Sequence, residues 1–135
     1  MPAPTTDCLS VRESDQVAFV RHIVRDWAVH LGFSLVDQTK MVTAASELGR
    51  NMVVHGGGGV VRIETPELDG RRGLRLIFED CGPGISDIER ALQDGYTTGN
   101  GLGLGLGGAK RLSNEFEIAS KPGQGTRVVI TRWKR

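Results

Sequence analysis

Val17, Val20, Val24, Trp27 and Leu31 recur at steps of three and four residues, the spacing of one face of an α-helix. Ser14 supplies an N-cap for this helix and Gly32 a C-terminal stop. A second helix is predicted after Ser34, with Leu35, Met41, Ala45, Leu48 and Met52 as its apolar stripe and an end at His55-Gly56. Elsewhere the period changes to two. Leu74, Leu76 and Phe78 alternate with Arg75 and Glu79, so the segment from Leu74 to Asp80 is a strand with one apolar face. Val60 to Thr65 precedes it across a turn containing Asp69-Gly70, and Glu115 to Ser120 and Thr126 to Trp133 flank the turn Lys121-Pro122-Gly123-Gln124-Gly125.

A short strand at Cys8 to Val11 opens the chain, and short helices are expected near Ile85 to Gln93 and near Gly107 to Ser113. A doubly wound parallel sheet would carry near-continuous apolar strands, whereas these alternate. The pattern therefore predicts an α/β chain of the α+β kind. It would be a two-layer sandwich with helices on one face of a mostly antiparallel sheet. No repeat, linker or charged tail divides the sequence, so residues 1–135 are expected to form a single domain.

Composition narrows the classes of function. The net charge is +1, with 17 basic and 16 acidic residues, which argues against a nucleic-acid binder held by phosphate electrostatics. No apolar run approaches the roughly 20 residues that span a bilayer, and Met1 to Asp7 lacks the basic and apolar regions of a secretory leader. Two cysteines, Cys8 and Cys81, make neither a disulfide framework nor a CxxC metal site. The expectation is a cytoplasmic protein without membrane or nucleic-acid partners.

Glycine is the exception: 19 of 135 residues, roughly twice ordinary usage. The glycines cluster at Gly56 to Gly59, at Gly82 and Gly84, and between Gly95 and Gly108. The run Gly101-Leu102-Gly103-Leu104-Gly105 frees backbone N–H groups to converge on an anion, with the leucines as anchors. It fails the P-loop pattern because Ala109 follows Gly108 where lysine is required. A dinucleotide fold is excluded because Thr97 to Asn100 stands where a buried strand should be. Upstream, Glu47, Asn51 and His55 lie four apart, in one row on the second helix. Asp80 ends a strand just before Gly82 and Gly84, where a carboxylate could accept from an exocyclic amine while the glycines admit a flat ring. A solvated helix face and an ordinary Asp-Gly turn account for the same residues taken singly. Lys110 and Arg111, and the tail Arg132-Trp133-Lys134-Arg135, are expected to be solvated.

The order of these pieces resembles the GHKL ATPases of the Bergerat fold. Glu47 to His55 is similar to their N box, Asp80 to Gly84 to the G1 box, Gly101 to Gly105 to the G2 box, and Gly125-Thr126 to the last element. Within that superfamily the chain resembles the RsbT/RsbW-type switch-protein serine/threonine kinases of bacterial partner-switching pathways, closest to the RsbT subgroup. Ser46 to Asn51, Glu79 to Ile85, Asp94 to Thr98 and Lys110 to Phe116 carry that likeness.

The resemblance implies ATP and Mg²⁺ as cofactors. Asn51 would hold the metal, Asp80 would recognise the adenine amino group with Thr126 nearby, and Gly82 and Gly84 would admit the purine. Gly101, Gly103 and Gly105 would cover the phosphates, and Glu47 would act as general base. The implied partners are a STAS-domain antagonist, as substrate, and a PP2C-type phosphatase that the released kinase activates. The alternative is an anti-sigma factor that sequesters a sigma factor. Thr98-Gly99-Asn100 lacks the basic residue that many anti-sigma members carry there, which favours the kinase role. A histidine-kinase catalytic half fits less well, because only 46 residues precede Glu47.

Overall fold

The computed structural model describes residues 5–85 and 106–134. The short helix expected near Ile85 to Gln93 and the segment with Gly101, Gly103 and Gly105 lie outside the described residues. Six strands make one sheet in the order β1-β2-β4-β6-β5, with β3 pairing β4 off this path. The strands are β1 (Thr5–Val11), β2 (Gly59–Glu64), β3 (Glu67–Leu68), β4 (Arg71–Asp80), β5 (Glu115–Ser120) and β6 (Thr126–Trp133). Every pairing among them is antiparallel. The helices are α1 (Ser14–His30), α2 (Leu35–Val54) and α3 (Leu106–Arg111).

Alternation in the strands decides which face of the sheet is covered. Val61 and Ile63 of β2, Leu74, Leu76 and Phe78 of β4, and Val128 and Ile130 of β6 are buried in one core. That core also takes Val20, Val24 and Ala28 of α1 and Met41, Ala45, Leu48 and Met52 of α2. The expected two-layer sandwich is therefore the observed one. The opposite sheet face is polar, with Arg62 paired to Glu79 and Arg75 3.6 Å from Glu64. Ile77 and Val129 are nonetheless buried on that face, between the stems of Arg75, Arg127 and Glu117, because long charged side chains cover apolar surface while their heads stay wet.

Several boundaries moved. Glu13 rather than Ser14 caps α1, through a reciprocal arrangement with Gln16. β1 begins at Thr5, not Cys8, and Asp7 at its start accepts a 2.8 Å hydrogen bond from the Trp27 indole. Ser34 caps α2 by accepting from the Asp37 N–H, and Leu35, expected in the apolar stripe, is 70% exposed. Leu35 and Val36 face solvent, and Asp37 is the residue of that first turn that is buried. Asp69 and Gly70 both take positive φ, as a tight two-residue hairpin turn requires, but the strand they close onto β4 is the two-residue β3.

One residue of the tail departs from the expected solvation. Arg132 is 4% exposed and donates to Asp37 Oδ1 at 2.8 Å and to the Leu112 carbonyl at 2.9 Å. It shares the core-facing parity of Val128 and Ile130, which holds it under α2. Lys134, Lys110 and Arg111 are exposed as expected.

Candidate nucleotide site

The site is assembled where α2 ends against the C-terminal end of β4. Glu47 and Asn51 are both half-buried on the last turns of α2, about 6 Å apart along the axis at 1.5 Å per residue. The Asn51 carbonyl receives the N–H groups of His55 and Gly56, so its turn leads directly into the glycine run. There the chain meets Asp80. A β-carbon on Gly56 would fall 2.5 Å from the Asp80 carboxylate, and one on Gly82 would fall 2.6 Å from the Gly56 Cα. Both contacts are shorter than side chains tolerate, so glycine at 56 and 82 is what lets the helix end close onto the loop.

Asp80 is held from three directions. In the sheet it stands opposite Gly59 of β2 and Thr126 of β6. Its Oδ1 accepts from the Gly82 N–H at 2.9 Å, which leaves Oδ2 without a hydrogen-bond partner among the described residues. Gly125, at φ +78°, has its α-carbon where a side chain would strike the Asp80 carbonyl at 2.1 Å. The loop after Asp80 rests on the β5–β6 turn: Gly123 N–H donates to the Pro83 carbonyl at 2.7 Å, and Gly84 lies against Lys121.

Of the expected residues, Asp80, Gly82, Gly84 and Thr126 thus meet at one junction, into which α2, carrying Glu47 and Asn51, leads through Gly56, whereas Gly101, Gly103 and Gly105 fall outside the described residues. Two further residues belong to it. Gly56 supplies the close approach, and Ser120, the last residue of β5, accepts from the Ile85 N–H at 2.8 Å. No local pattern marks Ser120, because that bond spans 35 positions; only the strand register places it there.

The junction suits a magnesium nucleotide on its donor set. The Asn51 amide carries a hard oxygen of the kind Mg²⁺ prefers, and Asp80, approached closely by Gly56 and Gly125, offers its second carboxylate oxygen as an acceptor. Among the described residues no group of three or more His, Cys, Asp or Glu could hold a metal alone. A cation here would share its ligands with phosphates, the usual arrangement for Mg²⁺.

His55, next to Gly56, has its pKa lowered from the ordinary 6.5, first by burial and then by the nearby Arg50 cation. The unfolded chain therefore takes up this proton before the folded one does. Stability is full above pH 6.5 and is lost as pH falls through the lower, folded value. Urea unfolding at about pH 7.5 and about pH 5.5 is expected to show a smaller acid loss in His55→Gln than in the wild type. Equal losses in the two would refute this account.

The histidine kinase-like ATPase domain family matches residues 11–132. The chain is 41% identical over 128 residues to the serine/threonine-protein kinase RsbT of Bacillus subtilis, covering 95% of this chain and 96% of that one. It is 30% identical over 127 residues to an anti-sigma F factor of Caldanaerobacter subterraneus, covering 90% and 87%. Among solved structures, the RsbU and RsbW domains of a Mycobacterium tuberculosis protein superpose with a TM-score of 0.63 at 26% identity. That match takes in 96% of this chain and 33% of the other.

Proposed function

The chain belongs to the histidine kinase-like ATPase domain family, and on that premise we propose that it is an ATP-dependent serine/threonine-protein kinase of a cytoplasmic partner-switching pathway. The observation that carries the reading is the junction of the α2 end, with Glu47 and Asn51, and the Asp80 carboxylate across Gly56. One junction offers a base edge, a metal ligand and a proton acceptor in sequence. The 41% identity to a serine/threonine-protein kinase supports the same assignment.

In this reading Asp80 accepts from the adenine amino group, with Thr126 beside it and Gly82 and Gly84 flanking the ring. Gly101, Gly103 and Gly105 cover the phosphates. Bound at Asn51, Mg²⁺ supplies charge neutralisation at the phosphate oxygens. Phosphoryl transfer needs alignment and charge stabilisation more than covalent help. Glu47, one turn before Asn51, takes the proton of the acceptor Ser or Thr hydroxyl as its oxygen bonds to the γ-phosphorus and the bond to the ADP oxygen breaks. The acceptor is a STAS-domain antagonist, and the kinase released from it then activates a PP2C-type phosphatase. A solved relative that joins an RsbU to an RsbW domain fits such a circuit.

Incubating the protein with labelled ATP, Mg²⁺ and a STAS-domain protein is expected to label a Ser or Thr of the latter, and chelating the metal to stop it. Absence of ADP and ATP binding in calorimetry with Mg²⁺ would overturn the assignment. The anti-sigma F relatives support a second reading, sequestration of a sigma factor. It requires a stable, nucleotide-dependent complex with a sigma factor in a pull-down.

A further inference from the structure

We propose that Ser120 is a positioning residue that makes the base-recognition edge of this site accept hydrogen bonds only, and so selects a 6-amino purine over a 6-oxo one. The inference rests on the nucleotide reading above and goes to how the base is chosen. Ser120 Oγ has three partners: it accepts from the Ile85 N–H at 2.8 Å, donates to the Gly125 carbonyl at 2.9 Å, and lies 2.8 Å from Thr126 Oγ1.

A hydroxyl owns one hydrogen and two acceptor sites. An amide can only donate and a carbonyl can only accept, so Ile85 fills one acceptor site and Gly125 takes the hydrogen. All three bonds then coexist in only one way, with Thr126 donating its own hydrogen to Ser120. The hydroxyl of Thr126 is left with lone pairs alone for a ligand.

Thr126 stands opposite Asp80 in the β4–β6 register. Asp80 likewise offers only an acceptor, since the neighbouring Gly82 N–H is already committed to its Oδ1. Two acceptors side by side match the two hydrogens of an exocyclic amine. A 6-oxo group placed there would meet a carboxylate and a hydroxyl oxygen with no hydrogen between them, and a buried mismatch of that kind discriminates more strongly than a lost contact does. The residue that sets this polarity touches no ligand; it acts through Thr126.

The test is the ratio of ATP to ITP affinity, each with Mg²⁺, measured by calorimetry on the whole chain. Wild type is expected to prefer ATP. Ser120→Ala releases the Thr126 hydrogen to turn toward the base and is expected to lower the ATP:ITP ratio about tenfold, roughly one hydrogen bond. Ser120→Thr, which keeps the hydroxyl, is expected to retain the ratio. If Ser120→Ala weakens both nucleotides equally, the serine merely braces the loop and the proposal is overturned. Should that variant fail to fold, Thr126→Val carries the same test, since it removes the acceptor and leaves the other two Ser120 bonds; an unchanged ratio there overturns the proposal too. Wild type that binds neither nucleotide removes the nucleotide reading itself, an outcome distinct from bound ATP with an unaltered ratio.

Discussion

Replacing Glu47 by alanine is expected to slow phosphoryl transfer to the acceptor protein by about 10²–10⁴-fold, the usual worth of a positioned general base. ATP affinity should stay within a few-fold of wild type. The separation of the two effects follows from the helix. Asn51 and Glu47 are one turn apart on α2, but the proposed mechanism gives only Asn51 to the metal and phosphates and gives Glu47 to the acceptor. An interaction made only in the transition state lowers turnover and leaves ground-state binding alone. Asn51→Ala should do the reverse and weaken Mg²⁺-dependent nucleotide uptake. Single-turnover labelling alongside calorimetry distinguishes the two. Equal labelling rates for Glu47→Ala and wild type would remove Glu47 from the chemistry.

Features set by neighbouring residues were legible in the sequence. The boundaries of β5 and β6 were legible because β5 alternates, β6 carries the β-branched run Val128 to Thr131, and a Pro-Gly turn separates them. The limits of α2 were legible because Ser34 and His55-Gly56 punctuate it. The Glu47–Asn51 row and the Asp80 loop were readable as spacing. What was not readable needed the sheet. Gly56 meets Asp80 only because β2 pairs with β4, which brings Gly59 opposite Asp80, and Ser120 meets Thr126 only through the β5–β6 register. Arg132 failed for a different reason. Its core-facing parity was visible in Val128-x-Ile130-x-Arg132, yet a basic residue near a chain end suggests solvent unless an acid is known to wait for it. That acid, Asp37, lies 95 positions away.

Arg132→Met is therefore expected to cost about 3–5 kcal/mol of stability, because it strips a buried carboxylate of its guanidinium. Asp37 is 4% exposed, so little of its carboxylate meets solvent in the folded chain. Asp37→Leu should be comparably harmful, since it leaves the cation buried. The double variant, Asp37→Leu with Arg132→Met, is expected to recover most of that loss. A buried ion pair often does no better than apolar side chains of similar volume, and this one already carries an Arg132 Nε with no hydrogen-bond partner among the described residues. Urea unfolding of the two singles and the double closes the cycle; a double variant no more stable than the worse single would contradict the argument. The pair also ties the first turn of α2 to β6 and, through the Leu112 carbonyl, to the residue just beyond α3. Since α2 carries Glu47 and Asn51, the singles should weaken Mg²⁺-nucleotide binding along with stability. The double should keep it, because packing alone can hold the helix at the angle that brings Gly56 onto Asp80.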